Sequence, residues 1–184
     1  MSRWFYWFFV TFIIVASEMT CAFTIEEEKC IDYYKTGEEF DLNELVGDWF
    51  VVYYWPPLHR QKDRCEVIKF SRITSSGMGC ASSNVPPGSS VIKSTYKNSA
   101  YKVRDVFYYG TEEVRQQIRD CNRVSKYIFV DLFDGYVMGI NCSSGGRGVL
   151  LAKTLPTNED LQSVVEDISV MTGRFGSPDC VLAR

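Results

Sequence analysis

The side chains able to do chemistry in this chain are few, and most of them are cysteines. There are seven: Cys21, Cys30, Cys65, Cys80, Cys121, Cys142 and Cys180. The chain carries one histidine, His59, no Cys-x-x-Cys pair and no Gly-x-Ser-x-Gly. A metal site or a catalytic triad draws on clustered histidines and carboxylates, so neither chemistry has a basis here. The acidic run Glu26-Glu27-Glu28 reads as a solvated face of an extended arm over residues 23–40. Net charge is only -3 with both signs interspersed, which is no footprint for nucleic acid. The chemistry left to the chain is disulfide formation and the binding of apolar molecules by aromatic walls. Aromatic residues make up 15% of the chain, 11 of them tyrosines, each giving a wall area and one polar handle.

Disulfides need an oxidising compartment, and the N-terminus provides the address. Arg3, the apolar run Trp4 through Ala16 and the small residues Thr20-Cys21-Ala22 read as a signal peptide over residues 1–22. The run is shorter than the ~20 residues of a membrane helix, and no other stretch is long enough to span. Cleavage after Ala22 removes Cys21 and leaves one domain, residues 23–184, with an even six cysteines. That count predicts three disulfides in a secreted, extracellular protein, with no thiol spare for nucleophilic catalysis. Six cysteines can pair in many ways, and composition does not choose among them.

The elements that position the aromatic residues are short strands. Gly47-Asp48-Trp49-Phe50-Val51-Val52-Tyr53-Tyr54-Trp55 is apolar, β-branched and aromatic, and Pro56-Pro57 ends it. Before it, Asp41 caps one short helical turn. Further strands are predicted at 65–73, 78–85, 89–97, 101–109, 112–119, 127–133, 136–142 and 149–154, with Asp134-Gly135 as a hairpin turn. One helix follows, over about residues 157–172. Thr157 and Asp160 form its capping box, Leu161, Val164, Val165, Ile168 and Met171 its apolar stripe, and Gly173 its stop. Many short strands without alternating helices predict an all-β sandwich or barrel, with this helix packed outside.

The order of these elements, and three sets of residues within them, resemble the lipocalins. Gly47-x-Trp49 matches the first motif of that family. Asp131-Leu132-Phe133-Asp134-Gly135-Tyr136, with Cys142 six residues on, resembles the second, although Phe133 replaces a tyrosine and the Thr-Asp pair is absent. Lys153 stands where the third motif has an arginine over the tryptophan, trading a planar fork for a point charge. The resemblance implies an eight-stranded antiparallel up-and-down β-barrel with one C-terminal helix outside it. It also implies a structural role for Gly47, Trp49, Tyr136 and Lys153. The cysteines resemble those of the insect branch, which includes the insecticyanins and other bilin-binding proteins. That likeness implies Cys30–Cys142 and Cys65–Cys180, and leaves Cys80 with Cys121.

The function this resemblance implies is a secreted, non-enzymatic carrier of a small hydrophobic ligand. A bilin, a retinoid or a fatty acid would suit, with no other cofactor and no metal. By period 2, Trp49, Val51, Tyr53 and Trp55 share a face. Alternation adds Phe107, Tyr127, Phe129, Met138, Ile140 and Leu151 as candidate ligand contacts. The basic loop with His59, Arg60, Lys62 and Arg64 lies near the mouth, either as a solvated loop or as a partner for a ligand carboxylate. The alternative is a lipocalin-fold interaction protein, its barrel filled with side chains, that binds an unidentified protein through its loops. Asn141-Cys142-Ser143 is formally a glycosylation sequon.

Overall fold

A computed structural model of the chain describes residues 26–57, 61–97, 102–121 and 123–183. The proposed signal peptide, His59, Arg60 and Tyr101 lie outside the described residues.

Eight strands form the wall: β1 (Gly47–Trp55), β2 (Val67–Thr74), β3 (Ser90–Lys97), β4 (Val103–Tyr109), β5 (Val114–Asp120), β6 (Arg123–Leu132), β7 (Tyr136–Asn141) and β8 (Arg147–Ala152). Each is antiparallel to the next; β8 returns to β1, and β1 pairs with β2, so the sheet closes on itself. This is the eight-stranded up-and-down barrel that the lipocalin resemblance implies. A two-residue strand, β9 (Ser177–Pro178), is added at the seam. There β1 pairs with β2 only over Gly47–Phe50, and β9 takes the vacated edge opposite Tyr53 and Tyr54. Asp179 N–H donates to the Val52 carbonyl at 3.0 Å, which continues the pairing.

Among the described residues two α-helices lie outside the wall. Residues 26–34 form α1, which corrects the extended arm expected there. Cys30, Ile31 and Tyr34 recur at helical spacing and pack on the barrel's outer layer. The acidic run belongs to this helix, and the Glu27 carboxylate accepts a hydrogen bond from the Ser143 hydroxyl. The second, α2 (Asn158–Asp167), starts at the Thr157–Asp160 capping box. It is shorter than expected: Ile168 leaves helical geometry at ψ 86°, and Ser169–Met171 makes a single tighter turn. That break lets Ile168 and Met171 both reach the buried layer.

Residues Ser75–Asn84 form 3₁₀ turns and not the strand expected over 78–85. Gly79 interrupts them at φ 61°, a conformation glycine adopts without penalty. Cys80 is bonded to Cys121, and Met78 and Ala81 pack on Val91 and Ile118 outside the wall. The other bridges join Cys30 to Cys142, fastening α1 to the end of β7, and Cys65 to Cys180, fastening the segment before β2 to that after β9.

Apolar side chains therefore fill three places. One cluster is inside the barrel: Trp49, Val51, Phe70, Ile92, Val106, Tyr108, Tyr127, Phe129, Val137 and Leu151, floored by Phe40, Leu42 and Leu45. A second lies between the wall and the two helices, and a third beneath the 75–84 turns. Because many wall residues are apolar on both faces, alternation alone does not reveal which face is inward.

Candidate ligand site

The closed end is built first, from the residues that lead into β1. Asp41 accepts from the Asn43 amide at 2.9 Å and starts the 3₁₀ turn Leu42–Leu45. Gly47 at φ 120° bends the chain into β1. Trp49 Nε1 then donates to the Leu45 carbonyl at 2.7 Å, pinning the indole across the barrel floor. Lys153 Nζ stands 4.2 Å from the centre of that ring and donates to the Val46 carbonyl at 3.3 Å. A lysine thus occupies the cation position over the indole. The hairpin turn at Asp134 and Gly135, with φ 62° and 79°, packs against the Lys153 stem.

Above the floor the lumen is aromatic. Phe129 lies 4.8 Å from Tyr127 and 5.2 Å from Tyr108, ring centre to ring centre, and Phe40 approaches it from below at 5.7 Å. The Tyr127 ring lies flat across β7 because position 139 is glycine; a Cβ there would stand 2.6 Å from the phenol oxygen. Tyr54 and Tyr96 pack against the same cluster higher up.

A short polar relay crosses this surface. Gln117 Nε2 donates to the Tyr108 hydroxyl at 2.9 Å, and Asn141 Nδ2 donates to Gln117 Oε1 at 3.4 Å. Asn141 Oδ1 is buried and has no partner among the described residues. Burial raises the phenol pKa of Tyr54, Tyr108 and Tyr127; at Tyr54 the charges of Glu66 and Asp179 push the same way. Hydrogen bonds with Gln117 and Ser94, and then the positive charge of Arg119, partly oppose the rise at Tyr108; at Tyr127 Arg119 does so. All three phenols are therefore neutral hydrogen-bonding groups at physiological pH.

Of the side chains expected to face the lumen, Tyr127, Phe129 and Leu151 do. Five do not. Tyr53 and Trp55 lie in the layer under the helices because β1 has a bulge between Val51 and Tyr53. The extra residue reverses the alternation, so Tyr54 points inward instead. Met138 and Ile140 share that outer layer. Tyr127 pairs with Asn141 and Phe129 with Gly139, and cross-strand partners share a face, so the alternate residues of β7 point out. Phe107 packs under the 75–84 turns, with its partner Ile118. Sequence reasoning missed Tyr54, Tyr108, Gln117 and Asn141. For Tyr54, Tyr108 and Asn141 the available signal was a polar group within a mostly apolar strand; β5, which carries Gln117, is mostly polar and offers none.

The basic loop is partly committed elsewhere. Lys62 Nζ is 2.8 Å from both Glu66 and Asp179, and Asp179 is fully buried. Burial works to lower the Lys62 pKa, but the hydrogen bonds it donates to Asp179 and Glu66 prevail and hold it above its ordinary value. Lys62 is thus a fastening at the β1–β2 seam. Among the described residues no group of three or more His, Cys, Asp or Glu is placed to hold a metal ion, and no helix is long and apolar enough to cross a membrane.

The geometry defines a closed barrel with an aromatic interior and a small set of oriented polar groups. No family model and no curated protein matches the chain. Among solved structures it is similar to lobster apocrustacyanin A1, at 12% identity over 86% of this chain and 87% of that one, with a TM-score of 0.47. Apocrustacyanin C2 is similar at 12% identity (85% and 86% covered), and apocrustacyanin C1 at 11% (86% and 87%), both also with a TM-score of 0.47.

Proposed function

We propose that this chain is a secreted lipocalin-type carrier, of the insect kind, that holds one small hydrophobic ligand in the barrel above Trp49. Residues 1–22 direct its export. The observation that carries the reading is the unpaired Asn141 carbonyl beside the Gln117–Tyr108 pair, inside a lumen lined mainly by aromatic and aliphatic side chains. Small-molecule sites are mostly apolar with a few placed polar groups, and a buried acceptor without a donor is costly unless something supplies one. The ligand has an extended apolar body that lies along Tyr127 and Phe129. It presents a hydroxyl or N–H to Asn141 Oδ1. A bilin meets both requirements, as does a retinoid alcohol. The protein does no bond chemistry on its ligand; affinity comes from burial and shape.

Native mass spectrometry with an absorption spectrum, on protein secreted from a eukaryotic host, tests this. A bound mass of a few hundred daltons, lost on Asn141→Leu with the fold intact, is expected. Visible absorption would identify a bilin over a retinoid. A clean apo mass, together with failure to take up a fluorescent apolar probe, would remove the carrier reading.

A further inference from the structure

A cavity lies at the closed end of the barrel, beneath the floor. Residues 39–43 cross the closed end, and between them, the start of β3 and the β4–β5 turn lies an open cavity of about 320 Å³. Its walls combine apolar Phe40, Leu42 and Ile92 with acidic Glu39 and Asp41, and with the guanidinium of Arg115. The volume is at the small end of the ~300–1,000 Å³ typical of ligand pockets. Phe40 lies between this cavity and Phe129 of the lumen, its ring centre 5.7 Å from that of Phe129.

Arg115 is the unusual member. Only 4% of it is exposed. Its Nη1 donates to the Gly110 carbonyl at 2.6 Å and its Nη2 to the Phe40 carbonyl at 2.5 Å. Its Nε–H is buried without a partner. None of the ion pairs among the described residues includes it. A guanidinium carries five donors, so two backbone carbonyls leave it both under-bonded and without a direct counter-charge. Such a buried cation is costly unless it is paired. Burial accordingly lowers its pKa, and Glu39, Asp41 and Glu112 act on it only through space.

We propose that this cavity binds a small zwitterion of the size and polarity of an aliphatic α-amino acid. The carboxylate supplies the counter-charge that Arg115 lacks. The ammonium faces Glu39 and Asp41, and the side chain lies against Phe40, Leu42 and Ile92. The mixture of charges selects the class. A simple anion would meet the two carboxylates at the rim, and a simple amine would leave Arg115 unpaired. A zwitterion satisfies both signs at once.

The test uses ¹⁵N-labelled protein titrated with L-leucine, 4-methylpentanoate and 3-methylbutylamine, following the Arg115 Nε–H signal and the Gly110 and Thr111 amides. Leucine is expected to move all three saturably, and each truncated analogue to need at least about tenfold more for the same shift. Arg115→Lys removes the response, but it also loses the hydrogen bond to the Phe40 carbonyl. Thr111→Trp, at an exposed turn position on the cavity rim, is the second variant: it blocks leucine while the unliganded Arg115 signal stays in place. Uptake of an apolar probe by the lumen is expected to be unchanged by Thr111→Trp. No saturable shift with leucine, equal response to all three compounds, or full leucine binding by Thr111→Trp would each overturn the proposal.

Discussion

Gly139→Ala places one methyl group where the structure has no room for it. The added Cβ would stand 2.6 Å from the Tyr127 phenol oxygen and 2.7 Å from Cε1. The ring cannot swing away freely, since it is 6% exposed and held between Tyr108 at 5.4 Å and Phe129 at 4.8 Å. Inserting a methyl group into such packing costs about 1–3 kcal/mol. Position 139 has no positive φ, so alanine gains about 0.4–1 kcal/mol through the unfolded chain. The net expectation is a loss of up to about 2.5 kcal/mol. Urea unfolding should show it as a lower midpoint at constant slope. The decisive comparison is the same substitution in a Tyr127→Ala background, where the clash is gone and Gly139→Ala should be neutral or stabilising. An equal effect in both backgrounds would show that Tyr127 does not lie across β7, and the account of the lumen would fail with it.

Four further outcomes follow from the same geometry. Lys153→Met should lose about 0.5–2 kcal/mol of stability, the range of a cation over an indole, and Lys153→Arg should retain it, both read by thermal unfolding. Trp55→Ala should cost about 3–5 kcal/mol, as for other buried tryptophans, while leaving uptake of an apolar probe intact in the folded fraction, because Trp55 lies outside the wall. The Asp160 carboxyl is held below its ordinary pKa by hydrogen bonds from Thr157. Its contribution is therefore full above the unfolded-state pKa and lost as pH falls through the lower folded one; the stability gap between wild type and Asp160→Asn should shrink with acidification through that window. Asn141 should carry no glycan, since its amide is turned inward to Gln117 and Cys142 is bridged; intact mass before and after glycosidase treatment should agree.

The parts of the fold legible in the sequence are those where one local rule acts alone. Pro56 ends β1, Asp134-Gly135 makes a turn that needs left-handed residues, and Thr157 with Asp160 opens a helix. The orientation of side chains was less legible, because β1 and β7 are buried on both faces. Val52, Tyr53 and Tyr54 are all apolar or aromatic, so a bulge among them leaves no polar residue out of place to betray it. The 75–84 turns were hidden for a related reason. Met78, Ala81 and Val85 are apolar enough to suggest a strand, and the constraint that coils the segment comes from Cys80 and its distant partner. The strand over 112–119 has too few apolar residues to mark an inner face, and closure of the barrel turns Arg115 and Gln117 inward.

The two-residue strand at the seam has a consequence for how the chain is made. The upper edge of β1 is completed by residues 177–179, while β1 itself begins at Gly47. Nearly the whole chain must therefore emerge before the wall is whole. During synthesis the early strands present an open, aromatic-rich edge of the kind that invites pairing between chains. The segment holding Asp179 and Cys180 acts as the closing stave, and its arrival ends that exposure. A chain cut short of this segment would be a danger to its neighbours, even with all eight principal strands in hand.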